Sequence, residues 1–486
     1  MKTEQRPLSH FVNTALLAGA AIASQLITFG GTLINAHLYG PIEFGLFGLF
    51  SGVMGVALFA ASWRYELAII TADEEEKAED VVLFVCVTGV SSAVAFVLGL
   101  LVIEMFASGL GLSTPLRRTF AVVPIVLFLS SIILAGTNLC VRRRQFGRVA
   151  AQQIAMALVT VGSQVFLVGV PIPGGGLVAG FVLGQVAATA MLAPPVLRVL
   201  RDRIPVPAVR GRLWATAREH HRYFFYVIPY SLLNQFYVQG PIFLLGSFFT
   251  MADVGLFSLA FRTTTAPLGL VPAAVAQVLF PELARDHKRI SKWGPSIQAL
   301  FGALGTLYAP VIALVVAFGP DVYAIGLGEP WRGAGVFAQI LIVPNMLVML
   351  CIGYDRLYFI LNRQRTALLL TMIACVPSAI FMLAGYRLGG QPTWLVMGWA
   401  VVQLTAALVW IGVASHLSGF SLSGLTREVA VVIGSVVALA AALAGVWQVR
   451  LAPVEAIGLL SVTAMIYAVV LWRVIRPLRS LLQRPA

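Results

Sequence analysis

Charge is what this chain has least of. Only 11% of its 486 residues are Asp, Glu, Lys or Arg, where an ordinary soluble domain carries roughly 25%. No soluble domain of useful size can be drawn anywhere along it. Cysteine is scarce as well: Cys86, Cys140, Cys351 and Cys375 each sit inside an apolar run, without C-x-x-C spacing. That argues for small buried side chains and against metal or redox motifs. The six histidines are scattered, and "EHH" at Glu219–His221 lacks metal-site spacing. "PGGGL" at Pro173–Leu177 has neither the flanking strand nor the Lys-Ser/Thr of a phosphate loop. No Ser-His-Asp arrangement can be assembled. The expectation is no cofactor, no metal, no catalytic residue and no enzyme.

Apolar side chains are what the sequence has. They make up 59% of it, at a mean hydropathy of +0.90. Many runs reach the roughly 20 apolar residues that span a bilayer as a helix. The chain therefore reads as an all-α integral membrane protein with 14 spans. The first run, Phe11 to Leu38, exceeds the roughly 7–15 apolar residues of a signal peptide and reads as the first span.

The net charge of +13 does not call for nucleic acid, because the basic residues fall in short loops. With the N-terminus placed in the cytoplasm, 26 of the 33 Lys and Arg lie on the inner side. Five lie outside and two, Arg262 and Arg356, lie within spans. That asymmetry follows the positive-inside rule and puts both termini in the cytoplasm. Residues 201–222 form a basic linker whose second half suits a helix on the anionic inner leaflet. The acidic run "ADEEEKAED", Ala72 to Asp80, reads as a solvated loop or helix start.

Two short stretches echo each other. In "YGPIEFGLFGLF" at Tyr39–Phe50 and "FTMADVGLFSLAF" at Phe249–Phe261, Glu43, Gly45, Leu46 and Phe47 match Asp253, Gly255, Leu256 and Phe257 at a constant offset of 210. "RRRQFGR" and "NRQRT" form a second pair. These imply two six-helix lobes as parallel pseudo-repeats: an N-lobe over 1–200, a C-lobe over 223–417, and two extra spans with a basic tail over 418–486. Parallel repeats are related by an axis along the membrane normal, with the substrate path between them.

"LYGPIEFGLFGLF", "SWRYELAIITADEEEKAED", "ADVGLFSLAFR" and "AAVAQVLFPELAR", in this order and spacing, resemble the polysaccharide transporter or oligosaccharide flippase family. That family belongs to the multidrug/oligosaccharidyl-lipid/polysaccharide exporter superfamily. The resemblance implies a two-lobed transporter that flips an undecaprenyl-diphosphate-linked oligosaccharide to the outer leaflet of a bacterial inner membrane by alternating access. It implies membrane lipids as surroundings, with a polymerase and glycosyltransferases of the same pathway as possible partners, and a monomer.

Arg262 is the most informative residue. About ten residues into span eight, it lies roughly 15 Å deep. A lone arginine there costs at least about 2.5 kcal/mol, so it should face a wet cavity or a partner. A diphosphate fits the paired donors of a guanidinium; a structural ion pair is the plainer alternative. Arg356, late in span ten, reads either as a substrate contact or as a snorkelling residue, and its neighbour Asp355 as a coupling-ion candidate. Arg64 in "WRYE" reads as a phosphate contact or a positive-inside anchor. Span seven carries Tyr223, Tyr226, Tyr230, Asn234 and Tyr237 along one helical face. Phenols and amides suit sugars, although such residues also pack between helices. Ser24, Thr28, Gly31 and Asn35 share a face of span one, as cavity lining or as close-packing positions.

Two other functions compete. A cation-coupled drug exporter of the same superfamily would want buried carboxylates, which the spans barely supply. A membrane polysaccharide polymerase would want a large outer loop. The longest, Gly319–Ala334, offers only Asp321, Glu329 and Arg332 as sugar contacts.

Overall fold

The computed structural model describes residues 6–106, 114–171, 175–204, 209–221, 223–285, 287–361 and 363–448. Its long elements are all helices. The first eight are α1 (Arg6–Leu38), α2 (Pro41–Ser62), α3 (Glu66–Thr71), α4 (Glu75–Phe106), α5 (Thr114–Phe120), α6 (Val123–Arg142), α7 (Phe146–Phe166) and α8 (Gly175–Arg203). The second eight are α9 (Val209–Glu219), α10 (Ile228–Phe248), α11 (Met251–Arg285), α12 (Gly294–Leu327), α13 (Arg332–Ile360), α14 (Gln364–Gly389), α15 (Pro392–Ser418) and α16 (Leu422–Gln448).

Among the described residues, twelve helices are long and apolar enough to cross a membrane. The expected count of fourteen is not reached, for two reasons. The last expected span, 453–473, lies outside the described residues. The seventh is present as the 21-residue helix α10 but is not one of the twelve, because Tyr230, Asn234, Gln235, Tyr237 and Gln239 dilute its apolar character. Large apolar side chains such as Leu98, Val102, Phe166 and Ile373 stand exposed, which suits a protein whose solvent is lipid.

The chain forms two compact units, Met1–Ser258 and Leu259–Ala486. In the first, α7 packs on α1 and α8, α6 packs on α4 and α8, and α2 lies against α4, α6 and α10. Ile69, Val81, Val82, Val85, Leu139 and Val196 make a core at one end of this bundle. In the second, α12 packs on α13 and α16, and α15 on α13 and α14. Trp331, Trp399, Tyr354 and Tyr358 are buried there. Because α10 packs on α2, it falls in the first unit.

The echoed motif has a structural meaning. Its acids cap helices: the Gly40 amide donates to Glu43 at 3.1 Å, and 210 residues on the Thr250 amide donates to Asp253 at 3.1 Å. Thr250 Oγ1 also donates to Asp253 at 2.7 Å and accepts from the Asp253 amide at 3.2 Å, a reciprocal cap of helix donors. The glycines allow contact. A methyl on Gly45 would overlap the Met251 carbonyl, and one on Gly255 would overlap the Pro41 carbonyl. The two copies thus pack on each other where their backbones touch.

The acidic run is a helix start, but it is bound rather than merely solvated. Arg142 donates to Glu75 at 2.9 Å and to the Ala72 carbonyl at 2.7 Å. Arg143 bridges Glu75 and Glu79, Arg203 reaches Glu79 at 2.9 Å, and Arg212 of α9 reaches Asp80 at 2.6 Å. Glu79 and Asp80 keep only 20% and 19% of their side chains exposed, so these pairs are screened less than surface ones. Arg212 also donates to the Arg203 carbonyl, so the basic linker helix is fastened to α4 and to the end of α8.

Candidate substrate site

Arg64 sits where α2 breaks. Trp63 and Arg64 both take left-handed backbone, at φ 51° and 62°, a conformation that costs non-glycine residues energy and recurs at functional sites. The break turns the guanidinium toward α10. Its Nε donates to Ser231 at 3.3 Å, Nη1 lies 3.4 Å from Glu66, and its Cζ stands 4.8 Å over the Phe59 ring. Glu66 is 3% exposed, so the pair offsets a buried carboxylate, and Oε2 of Glu66 has no hydrogen-bond partner. Both polar contacts of Arg64 are long for charge-assisted bonds, and a third of the side chain remains exposed. It therefore retains donor capacity for an anion.

The stripe expected on span seven is helical from Ile228 onward, after a π-helical turn at Tyr223–Val227. Such turns often mark functional positions. Asn234 is exposed, while Tyr230 and Tyr237 are half-buried. The side chains of Tyr223 and Tyr226 lie outside the described residues. Gln235 and Gln239 turn inward: a methyl on Gly55 of α2 would run into both amides. Ser231, bonded to Arg64, follows Tyr230 directly, so Arg64 and the N-terminal end of the stripe are brought together.

Arg262 is half-buried on α11. Its neighbours fix its direction. Phe261 lies against Trp399 of α15, Thr263 bonds Tyr323 of α12, and Thr264 accepts from Asn345 of α13 at 2.8 Å. Gln403 of α15 continues that buried chain by donating to Asn345 at 3.1 Å. At about 100° per residue, α11 spends the faces of Phe261, Thr263 and Thr264 on its own bundle and points Arg262 away from α13. The side chains of Asp355 and Arg356 on α13 lie outside the described residues.

On α1, Ser24 Oγ donates to the Ala21 carbonyl at 2.9 Å. Asn35 is buried and donates to Gln164 of α7 at 2.7 Å, while Gln164 donates onward to the Leu177 carbonyl. A methyl on Gly31 would overlap Val161 of α7. The C-terminal half of α1 is thus braced on α7. Where α12 gives way to α13, Arg332 is held by Asp321 and by Glu329, both at 2.6 Å, so its charge is taken up and the trio keeps one net negative charge.

Sequence reasoning missed Ser231, Gln164 and the Thr264–Asn345–Gln403 chain. Isolated polar residues inside apolar helices were the available signal. Among the described residues no cluster of His, Cys, Asp and Glu suits a metal ion.

The helices, in this order, have the fold of solved membrane transporters. A solved structure described as lipid II flippase MurJ, in an inward closed conformation, superposes with a TM-score of 0.71 at 10% identity, covering 96% of this chain and 99% of that one. An inward-facing multidrug resistance transporter of the MATE family gives a TM-score of 0.55 at 16% identity, over 85% and 94%. At the sequence level residues 34–335 match the polysaccharide biosynthesis protein family, and the chain belongs to that family. No curated protein matches it significantly.

Proposed function

We propose that this protein is a flippase. It carries an undecaprenyl-diphosphate-linked oligosaccharide from the cytoplasmic to the outer leaflet of a bacterial inner membrane, by alternating access. The observation that carries this reading is Arg262: an arginine on an apolar helix, turned away from the bundle that its neighbours engage. A guanidinium carried on a membrane-spanning helix suits an anionic cargo, because its donors match phosphate oxygens in pairs. Membership in a polysaccharide biosynthesis family supports a glycan attached to that phosphate, and a fold shared with a lipid II flippase supports a lipid carrier.

In this scheme Arg64 meets the diphosphate at the inner side, and Arg262 meets it during passage. Tyr230, Asn234 and Tyr237, with Tyr226 before them, contact sugar. Ser24 and Arg356 shape the path around them, Asn35 instead braces α1 on α7, and Asp355 is the candidate for ion coupling. The chain works as a monomer, with both termini in the cytoplasm, alongside a polymerase and glycosyltransferases. A drug exporter would need a free buried carboxylate, whereas Glu66, the buried one among the described residues, faces Arg64.

The test is transport by purified protein in vesicles loaded with lipid-linked oligosaccharide on one leaflet. A membrane-impermeant glycosidase or periodate reports arrival on the other. Arrival dependent on the protein is expected; equal arrival in protein-free vesicles refutes the reading.

A further inference from the structure

Beside Arg64 the first unit contains an apolar groove of about 650 Å³ between α2, α4 and α10. That volume is within the roughly 300–1,000 Å³ of ligand sites. Val53, Ala57, Ala95, Phe96, Leu232 and Phe236 line it. Phe236 is half-exposed and Ala95 exposed, so the groove is open along its side.

One end is built differently. Trp63 closes it, donating through Nε1 to Ser92 at 3.0 Å and stacking on Phe224 with ring centroids 4.8 Å apart. The next residue is Arg64, held at Ser231, which adjoins the lining residue Leu232. The left-handed backbone at Trp63 and Arg64 fixes both features together: the ring caps the apolar channel and the guanidinium stands just past it. A ligand matching this site has a long apolar chain and an anionic group at one end.

Resting on the flippase reading, we infer that this groove takes the first isoprene units of the polyprenyl carrier, with Arg64 on the phosphate to which they are joined. Two features select a branched isoprenoid over a straight acyl chain. Small residues (Ala57, Ala60, Ala95) and aromatic ones (Trp63, Phe96, Phe236) share its lining, and a lining of mixed size suits a chain that carries methyl branches. The spare donors of Arg64 lie at one end of the groove, where the phosphate of a single-chain lipid falls. The remainder of the carrier stays in the bilayer, and the sugar is left free for the stripe on α10.

The experiment is native mass spectrometry of the full-length protein in detergent, titrated with undecaprenyl phosphate, undecaprenol or dioleoyl phosphatidylglycerol. Wild type should retain undecaprenyl phosphate at least about tenfold more tightly than either other lipid. Ala95→Trp, at an exposed position that tolerates bulk, and Ala57→Trp should each fill the groove and weaken that binding by about tenfold or more. Arg64→Gln should bind undecaprenyl phosphate no better than undecaprenol. Unchanged binding in a folded Ala95→Trp protein overturns the inference. So does equal retention of phosphatidylglycerol, which would make the groove a seat for ordinary bilayer lipid. Vesicle transport by the same preparations separates the two readings. Binding that is lost in Ala95→Trp, in a wild type that moves no oligosaccharide, refutes the flippase and keeps the groove. Transport with binding unaffected by Ala95→Trp refutes the groove and keeps the flippase.

Discussion

Gly45 and Gly255 face each other at the starts of α2 and α11, each so close to the opposite helix that a methyl on either would strike a backbone carbonyl. Gly48 and Ser258, again 210 residues apart, meet one turn further on. Corresponding positions of the two echoed stretches thus touch one another. This is why one chain writes the same acidic-then-glycine helix start twice: the acid caps the helix, and the glycine lets the copies meet.

Gly45→Ala and Gly255→Ala should therefore each destabilise the protein by about 1–3 kcal/mol, the usual cost of overpacking, although alanine is the better helix former. Thermal unfolding in detergent measures this, with a lowered Tm expected. A raised Tm would show that the helices do not approach this closely. Asp253→Ala should cost about 1 kcal/mol through the lost cap.

Glu79 accepts from both Arg143 and Arg203. Glu79→Gln leaves two partly buried guanidiniums short of a carboxylate and should loosen the ends of α6 and α8. The expected readout is faster amide exchange over α8 and α9, with a smaller salt dependence than wild type. Unaltered exchange would mean that the charges only decorate a bundle held by apolar packing.

His220, just past α9, gives that region a pH response. Burial lowers its pKa below the usual histidine range, outweighing the neighbouring Glu219 carboxylate. The unfolded chain therefore binds more protons than the folded one as pH falls through about 6.5. Stability should drop from neutral pH toward about 5.5, and His220→Gln should flatten that part of the profile. An unchanged slope in the variant would assign the response to other groups.

On α10, replacing Tyr230 and Asn234 together by Leu should cut oligosaccharide transport at least about tenfold, since each polar group lost from a site built to bond sugar hydroxyls leaves its partner unpaired. Binding of undecaprenyl phosphate should persist. Undiminished transport would remove the sugar-contact role from this face.

The helical, membrane-spanning architecture was legible because nothing in so apolar a chain could be dissolved in water, and the paired helix starts because 210-residue spacing survives in four positions. The sense of the acidic run was not. The partners of its carboxylates lie 64 to 132 residues away, and a charge run carries no sign of what folds against it. The seventh helix showed the converse: a stripe at 3-and-4 spacing revealed α10, while hydropathy alone passes over it. Asn35 looked like Ser24 and Thr28 by spacing, yet its amide is bound to Gln164, and a glutamine on α7 cannot be foreseen from the pattern on α1.

The most direct measurement compares Arg262→Ala, Arg262→Lys and wild type in one-leaflet vesicle transport at matched insertion and matched Tm. Passage of a diphosphate past a paired-donor guanidinium predicts near-complete loss in the alanine variant and partial recovery in the lysine one, which keeps the charge but not the fork. Full transport by Arg262→Ala would contradict the account.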